Sequence, residues 1–367
     1  MPGNHSFCRI RWYILLVGVA IACSKRPPQV VSPPPRTDNL IRAVDFSLFP
    51  EIERRGWLRH DPDDTTRTFP AALREYGVNA IRLRLWKNPA VNSVHGLDSV
   101  AQFSARLRAL GFKTWISVHY SDDWADPGQQ QTPQDWQGLS FSELLSRVHT
   151  YTADVAQRIQ PDWIQVGNEI NHGMLWPQGD RRVSPQQFRL LLDTACAAIR
   201  RHAPGARIVL HYAGLDGSDA FFQSLSGVDY DAIGISYYPL WHGRNLQNLP
   251  LTLGQLHARH QKPVLIAETS YPFTLGWADL TTNIVGLDSQ LIVPDFPASL
   301  EGQCNYMHTI RTLCRGTPGV SGYCYWGAEW VAYSGSAVGL GSPWENQALF
   351  DFEYRPVPAL STFADVY

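Results

Sequence analysis

The sequence predicts an α/β protein folded as one (β/α)8, or TIM, barrel. Short runs of apolar and β-branched residues alternate eight times with helical segments over about 330 residues, which is the repeat of this barrel. Polar or aromatic residues end nearly every run, as expected at the mouth of such a barrel. An open doubly wound sheet is the main alternative, and it is disfavoured because no glycine-rich phosphate loop follows the first run.

Each element follows from the pattern of apolar residues. The predicted strands are 40–47, 79–86, 113–119, 163–168, 207–212, 232–237, 263–267 and 322–326. Apolar residues at three- and four-residue spacing predict helices between them, most clearly at 97–110, 141–159, 185–202 and 300–315. Gly77 and Gly111 precede the second and third strands, where glycine suits the residue that follows a helix.

Composition limits the kinds of partner. The chain has 367 residues, of which 44% are apolar and 17% are charged, so it can bury a full core. The formal net charge of -2 lacks the basic excess needed to bind nucleic acid or an anionic membrane surface. We therefore expect a neutral ligand, and we also expect a monomer. Several of the 13 tryptophans lie near strand ends, where they can fill the core or stack on sugar rings.

Two predicted strands end in a glutamate. Glu169 closes the stretch Trp-Ile-Gln-Val-Gly-Asn-Glu, and Glu268 closes Pro-Val-Leu-Ile-Ala-Glu. A pair of carboxylates at the barrel mouth is what glycosidic bond cleavage needs, because one group protonates the leaving oxygen while the other attacks the anomeric carbon or activates water. For either glutamate alone, turn capping or a structural ion pair is the alternative.

An arginine is expected to assist one of these glutamates. Alternation within 81–86 directs Arg82 and Arg84 into the barrel, where a buried guanidinium needs a carboxylate partner. Arg84 is nearer the rim, so we expect it to pair with Glu268 and to keep that carboxylate ionised. Glu169 is then expected to keep a raised pKa and to act as the acid.

Further strand-end residues are candidates for ligand contact. They are Arg84, Trp86, His119, Asn168, Tyr238 and Trp326. His119 has no second histidine beside it and is not expected to bind metal. Asp123 belongs to an acidic cluster, for which turn capping and contact with sugar hydroxyls are both open. Glu329 and Glu345 do not terminate a strand and are not expected to be catalytic.

Four motifs resemble a known family. They are 77–86 (GVNAIRLRLW), 119–130 (HYSDDWADPGQQ), 167–171 (GNEIN) and 344–351 (WENQALFD). In this order they are similar to glycoside hydrolase family 53, the arabinogalactan endo-β-1,4-galactanases, which are retaining (β/α)8-barrel enzymes that cut β-1,4-galactan side chains of pectin.

The resemblance implies roles for particular residues. It implies that Glu169 is the acid/base, that Glu268 is the nucleophile and that Asn168 holds the 2-hydroxyl of the sugar beside the cut. Trp344, in the last motif, is expected to bind substrate. Because a retaining enzyme forms a covalent intermediate, we expect the two carboxyl groups to lie about 5–5.5 Å apart.

Neither metal nor cofactor is expected. Some bacterial members of the family bind calcium in a loop after the seventh strand. The corresponding stretch, 274–283, offers only Asp279 and Asn283 as plain oxygen ligands, whereas calcium takes six to eight oxygens.

The specificity has open alternatives. A carboxylate pair does not identify the sugar, so another endo-β-glycanase, mannanase or cellulase-like, is one alternative. A surface glycan-binding lipoprotein without turnover is another, although a binder has no need of a matched acid and nucleophile.

The N-terminus has the pattern of a targeting segment. Arg9 and Arg11 precede an apolar stretch too short to span a bilayer, so 1–22 is predicted to be a signal peptide. Its end, Ala-Ile-Ala-Cys23, resembles a bacterial lipoprotein box with Cys23 as the lipidated residue; an ordinary cleavage site is the alternative. Residues 23–38 would form a proline-rich tether, and 39–367 the catalytic domain, exported and membrane-anchored on the periplasmic side or the cell surface.

The remaining cysteines give little information on function. Cys196, Cys304, Cys314 and Cys324 lack the close spacing of a zinc site. Buried free thiols are the favoured interpretation, and export would also permit a disulfide such as Cys314–Cys324.

Overall fold

The structure is a computed structural model that describes residues 39–55, 68–332 and 341–364. The predicted signal peptide, the candidate lipid site Cys23 and the tether lie outside the described residues. Among the described helices, none combines the length and the apolar character that a membrane span requires.

Eight parallel strands form a closed barrel in chain order, and β1 pairs with β8 to close it. The predicted fold class is therefore confirmed. The strands are β1 Ile41–Asp45, β2 Ala80–Leu85, β3 Lys113–Val118, β4 Trp163–Val166, β5 Arg207–Ala213, β6 Ala232–Ser236, β7 Val264–Thr269 and β8 Val320–Tyr325.

Helices surround the barrel. They are α1 Phe49–Arg54, α2 Phe69–Glu75, α3 Leu97–Ala109, α4 Phe141–Ile159, α5 Pro185–His202, α6 Ser218–Ser224, α7 Pro239–His242, α8 Asn248–His260 and α9 Leu300–Gly316. The four helices predicted from apolar spacing are confirmed to within one residue at each end. At the start of α4, Ser140 and Glu143 form a capping box that satisfies backbone N–H groups, which explains the sharp beginning of this helix.

The strands are buried on both faces because helices cover the outside and side chains fill the inside. All six residues of β2 are buried. The inside contains a small cluster that includes Ala43, Trp115 and Trp163. The much larger outer cluster joins strands to helices and includes Leu83 and Leu85. Toward the C-terminal ends of the strands the interior becomes polar, and this polar layer is where the candidate site lies.

The four cysteines of the described residues are free thiols, and Cys196, Cys314 and Cys324 are buried. The interpretation as buried free thiols is therefore confirmed for these three, and the alternative disulfide between Cys314 and Cys324 is wrong. The two residues lie on neighbouring elements, α9 and β8, and Cys314 Sγ contacts the carbonyl oxygen of Gly322 at 3.8 Å instead.

Candidate active site

A cleft of about 610 Å³ opens at the C-terminal ends of the strands. Both predicted glutamates line it, and so do most of the residues expected to bind a ligand. Those that line it are Arg84, His119, Asn168, Tyr238, Trp326 and Trp344. Strands and loops that are far apart in the sequence therefore meet at one site, as the barrel topology requires.

The two glutamates reach the cleft by different backbone routes. Glu268 lies within β7, whereas Glu169 follows β4 by three residues and has a left-handed backbone with φ of 47°. The turn before it needs Gly167, because φ there is 76° and a Cβ would lie 2.4 Å from the Ile170 side chain. A carboxylate oxygen of Glu169 and one of Glu268 lie within 4.8 Å of each other.

Arg82, not Arg84, pairs with Glu268, so the predicted partner is wrong. Arg82 Nη2 lies 2.8 Å from Glu268 Oε1, and Arg82 Nη1 donates to Asp45 Oδ2 at 2.8 Å. Two residues of strand rise about 6.6 Å, which is roughly the reach of an extended arginine side chain. The deeper arginine, Arg82, can therefore bind a carboxylate at the rim. Position along the strand did not predict which arginine pairs with Glu268.

Arg84 supports the aromatic wall of the cleft. Its Nη2 lies 3.2 Å from His95 Nε2, and its guanidinium carbon lies 3.8 Å from the centre of the Trp124 ring. The contact with Trp124 is a cation–π interaction that replaces the expected ion pair. Burial lowers the pKa of Arg84 to about 10, which leaves it charged at neutral pH.

The surroundings separate the two glutamates chemically. Burial, followed by repulsion from Glu268, raises the pKa of Glu169 to about 8. Burial also raises the pKa of Glu268, but Arg82 and a hydrogen bond from the Tyr238 hydroxyl oppose this rise. Glu268 is therefore the more readily ionised of the two carboxyl groups, and Glu169 is the more readily protonated.

Three predicted contact residues surround the pair. Tyr238 donates its hydroxyl to Glu268 Oε2 at 2.9 Å. Asn168 Oδ1 accepts from Arg82 at 2.8 Å, while Asn168 Nδ2 donates to the carbonyl of Ala125. His119 Nδ1 accepts the Ala125 N–H at 3.2 Å, and burial lowers the pKa of His119 well below its usual value, so the ring is neutral.

Two other predicted contact residues do not line the cleft. Asp123 is exposed, and its Oδ1 accepts the N–H of Trp124 at 2.7 Å, which is the turn-capping alternative. Trp86 packs edge-on against Trp124 with 5.6 Å between the ring centres. Trp124 itself lines the cleft, so Trp86 buttresses the wall from behind. From the same acidic cluster, Asp126 does line the cleft.

A connected set of aromatic rings forms one wall of the cleft. Trp326 and Trp344 lie at its centre with 4.6 Å between their ring centres. Trp330 packs on Trp326, and Trp241, which is 53% exposed, stacks on Trp344 and carries the wall to the surface. Trp124, Trp241 and Trp330 were missed because they lie outside the strands, so strand-end position gave no signal for them.

Sequence reasoning also missed a hydrogen-bonded group behind Glu169. Ser236, the last residue of β6, donates to Glu169 Oε1 at 2.6 Å. His211 of β5 contacts Ser236 at 2.9 Å, and Gln165 of β4 contacts His211 at 3.0 Å. Each side chain points into the barrel near its rim, and this position would have been the signal for finding them.

Glu329 and Glu345 are buried and serve the backbone. Glu329 Oε1 accepts the N–H of Leu48, and Glu345 Oε1 accepts the N–H of Ala278, each at 2.6 Å. Neither is among the residues that line the cleft. That they are not catalytic stays a prediction.

The described part of the loop after β7 holds few free side-chain oxygens for a calcium ion. Asp279 uses Oδ1 for the N–H of Thr281 and Oδ2 for the N–H of Ser342, both at 2.7 Å. Glu345 Oε1 also accepts backbone N–H groups, which leaves Glu345 Oε2, Asn283 Oδ1 and Asn346 Oδ1 as buried side-chain oxygens without a hydrogen-bond partner. Calcium takes six to eight oxygen ligands, so these side-chain oxygens alone would not complete its coordination shell.

The barrel, the close pair of carboxylates and the aromatic cleft define a glycoside hydrolase of the (β/α)8 type. The family model described as glycosyl hydrolase family 53 matches residues 41–363. The chain belongs to this family, and the resemblance of the four motifs is confirmed.

Individual proteins agree with this assignment. An arabinogalactan endo-beta-1,4-galactanase of Cellvibrio japonicus is 33% identical over 84% of this chain and 85% of that protein. The solved GH53 catalytic domain of Ignisphaera aggregans is 38% identical, with a TM-score of 0.82 over 90% of this chain and 96% of that one. A solved fungal beta-1,4-galactanase is 27% identical, with a TM-score of 0.77 over 88% and 98%.

The Arg82 ion pairs give a prediction about stability. Replacing Arg82 by Met should lower the free energy of unfolding by about 3–5 kcal/mol at neutral pH, because Glu268 and Asp45 lose a buried counter-charge. The loss should shrink at about pH 5, where protonation of Glu268 removes part of the unpaired charge. Urea denaturation at both pH values measures it.

Arg84→Met is the matched control, since it removes a guanidinium that contacts an imidazole and a tryptophan ring. The loss in free energy of unfolding caused by Arg84→Met should depend much less on pH. Equal pH dependence in the two variants would contradict the assignment of Arg82 as the partner of Glu268.

Proposed function

We propose that the protein is a retaining endo-β-1,4-galactanase that acts by double displacement, with Glu268 as nucleophile and Glu169 as acid/base. The observation that carries the mechanism is the distance within 4.8 Å between oxygens of the two carboxylates. Inverting enzymes hold their carboxyl groups roughly 6.5–9.5 Å apart to admit a water, while retaining enzymes hold them at about 5–5.5 Å. The short distance supports direct attack by one carboxylate.

The first step uses the difference in pKa between the two glutamates. Glu268 attacks the anomeric carbon with a carboxylate oxygen, and the glycosidic bond breaks as Glu169 transfers its proton to the leaving oxygen. The products are a glycosyl ester on Glu268 and a shortened chain with a free hydroxyl group. Glu169 is then a carboxylate. The higher pKa of Glu169 and the ion pair between Arg82 and Glu268 support this division of roles.

The second step returns the enzyme to its starting state. Glu169 accepts a proton from water, and the oxygen of that water attacks the anomeric carbon. The bond to Glu268 breaks, and the sugar leaves with the configuration it had in the chain. Glu169 is then protonated again and Glu268 is again a carboxylate. No metal or cofactor takes part in the proposed reaction.

The proposed substrate is a neutral β-1,4-galactan. Two relatives bear the names endo-β-1,4-galactanase or arabinogalactan endo-β-1,4-galactanase and cover most of this chain. Tryptophans line the cleft, and rings of this kind stack on sugars. We propose that Asn168 binds the 2-hydroxyl and that Arg84, His119, Tyr238, Trp326 and Trp344 shape the remaining subsites.

An endo mode agrees with the shape of the wall. The aromatic rings run from the buried Trp326 to the half-exposed Trp241, so a polymer can continue past the site of cleavage. The mannanase or cellulase-like alternative would use the same carboxylate pair, and the substrate assay below separates it. A binder without turnover would bind galactan and release no product.

Substrate and stereochemistry can be tested in one assay. The purified domain should release oligosaccharides from β-1,4-galactan and leave mannan and cellulose essentially intact. Proton NMR of the first product should show the β-anomer, because two displacements retain configuration. Treatment with a chelator should change neither rate nor product. Cleavage of mannan or cellulose in preference to galactan would reject the substrate, and an α-anomer as first product would reject the mechanism.

The two glutamates should respond differently to replacement. Glu268→Ala should abolish turnover of every substrate, because no covalent intermediate can form. Glu169→Ala should reduce kcat/KM on galactan by about 10²–10⁴-fold but slow the first step much less on aryl glycosides, whose leaving groups need no proton. Burst and steady-state kinetics measure this difference. Glu345→Ala, at a carboxylate that binds backbone N–H groups, is the control for loss of a buried acid.

We also propose an exported lipoprotein, anchored through Cys23. Membrane fractionation of the full chain tests the anchor. The native protein should sediment with membranes, whereas Cys23→Ala should give soluble, active enzyme, because the lipid is the proposed membrane contact. Equal partitioning of the two proteins would mean that Cys23 carries no anchor. Cys304→Ala serves as a cysteine control within the barrel domain.

A further inference from the structure

We propose that Gln165, His211 and Ser236 form a hydrogen-bond relay with a fixed direction that positions the side chain of Glu169 and selects which of its oxygens carries the proton. This inference rests on the proposed role of Glu169 as acid/base. We call the three residues the Glu169 relay. They are positioning residues: Ser236 contacts the Glu169 carboxylate, His211 contacts Ser236 and the Glu169 backbone, and Gln165 acts through His211.

The relay starts at Arg82. Arg82 Nε donates to Gln165 Oε1 at 3.2 Å, and because arginine can only donate, this contact identifies Oε1 as the oxygen of the amide. Gln165 Nε2 is then the end that lies 3.0 Å from His211 Nδ1. This nitrogen can only donate, so the contact is compatible with His211 Nδ1 as an acceptor. Its two protons also have Ser117 Oγ, Gly167 O and Asn168 Oδ1 within reach, at 2.8, 2.9 and 3.1 Å, so a second contact is needed to fix the tautomer.

A second donor fixes the same tautomer of His211. The backbone N–H of Glu169 also donates to His211 Nδ1, at 3.3 Å. Asn168 Oδ1 lies 3.1 Å from this nitrogen, but Arg82 Nη2 at 2.8 Å and Gln165 Nε2 at 3.1 Å are donors for both of its lone pairs, so it needs no proton from the ring. His211 is fully buried in a site that favours the neutral ring. Its single proton is consequently on Nε2.

The same donor-to-acceptor order continues from His211 through Ser236 to Glu169. His211 Nε2–H donates to Ser236 Oγ at 2.9 Å, and Ser236 uses its only proton to donate to Glu169 Oε1 at 2.6 Å. Glu169 Oε1 is thus held as an acceptor. Glu169 Oε2 is the oxygen left to carry the proton, and it is the one assigned to protonate the leaving group.

His211 also holds the backbone beneath this side chain. Its ring accepts the N–H of Glu169, and its carbonyl accepts the N–H of Ile170 at 3.0 Å. The residue between these contacts has a left-handed backbone that non-glycine residues rarely adopt. Contacts of one residue to both sides of the turn therefore stabilise an otherwise unfavourable conformation.

The pH dependence of activity reports on the relay. The Ser236 hydrogen bond favours ionised Glu169, so its removal should raise the pKa of Glu169 and move the basic limb of kcat/KM to higher pH by about one unit. The other groups that face Glu169 are unchanged by this substitution. They are Glu268 on β7, Asp126 after β3, Arg82 on β2, His211 on β5 and Tyr238 after β6.

The first experiment compares serine variants. Ser236→Ala should move the basic limb upward and lower kcat/KM on galactan about tenfold, with a loss of less than about threefold on an activated aryl galactoside. Ser236→Thr, which keeps the hydroxyl, should return the basic limb of the kcat/KM profile to its pH in the native protein. Ser270→Ala is the matched control, because Ser270 is a buried strand-end serine that donates to Gln347. An unmoved limb in Ser236→Ala would overturn the relay.

The second experiment observes the tautomer directly. Nitrogen-15 NMR of labelled protein, assigned with His211→Phe, should show His211 as the neutral Nε2–H form from about pH 5 to pH 8. An Nδ1–H form would overturn the direction of the relay. If His211→Phe does not fold, Ser236→Ala assigns the resonance through the change at Nε2.

Failure of the relay can be told from failure of the proposed function. If Glu169→Ala abolishes acid-dependent cleavage while Ser236→Ala leaves the pH profile unchanged, the relay is rejected and the acid/base role stands. If Glu169→Ala keeps full activity on galactan, the proposed function is rejected, and the relay is rejected with it.

Discussion

The buried guanidinium of Arg82 is the constraint on which the site depends. Inside the barrel it has no access to bulk water, and an unpaired charge there would be costly. Asp45, Glu268 and Asn168 satisfy it together. Because these partners come from strands β1 and β7 and from the turn after β4, one cation fixes the relative positions of groups that are far apart in the sequence. The barrel must close for these contacts to form at all.

That cation also makes the two glutamates chemically different. Both are carboxyl groups in a buried cleft, and burial alone would raise both pKa values. Arg82 contacts Glu268 directly, whereas it acts on Glu169 from a greater distance and through Gln165, His211 and Ser236. Glu268 therefore shares a contacting counter-charge with Asp45, whereas Glu169 receives a hydrogen bond from a neutral hydroxyl. Unequal compensation of two similar groups supports the proposed division into an acid and a nucleophile.

The aromatic wall follows a different logic from the polar layer. Trp326 and Tyr238 come from strand ends, but Trp124, Trp241 and Trp330 come from the connections that follow strands. Strands position the charged groups to within hydrogen-bonding distance. The connections supply rings whose contact with a ligand depends on area more than on angle. The reacting groups thus come from the strands, and the rings that would contact a polymer come mainly from the connections.

The sequence by itself determined the fold class, the two glutamates and most of the residues at the mouth. Apolar periodicity is local, and a residue that ends a buried parallel strand must lie at the barrel rim whatever its neighbours are. Position along β2 did not reveal that Arg82 and not Arg84 pairs with Glu268, because the reach of a side chain across the barrel is a three-dimensional property. For Asp123, the sequence left turn capping and contact with sugar hydroxyls both open. The structure shows that its carboxylate accepts the backbone N–H of Trp124. Only the closed barrel brings His211 and Ser236 behind Glu169, since these contacts join residues on different strands and leave no local pattern in the chain.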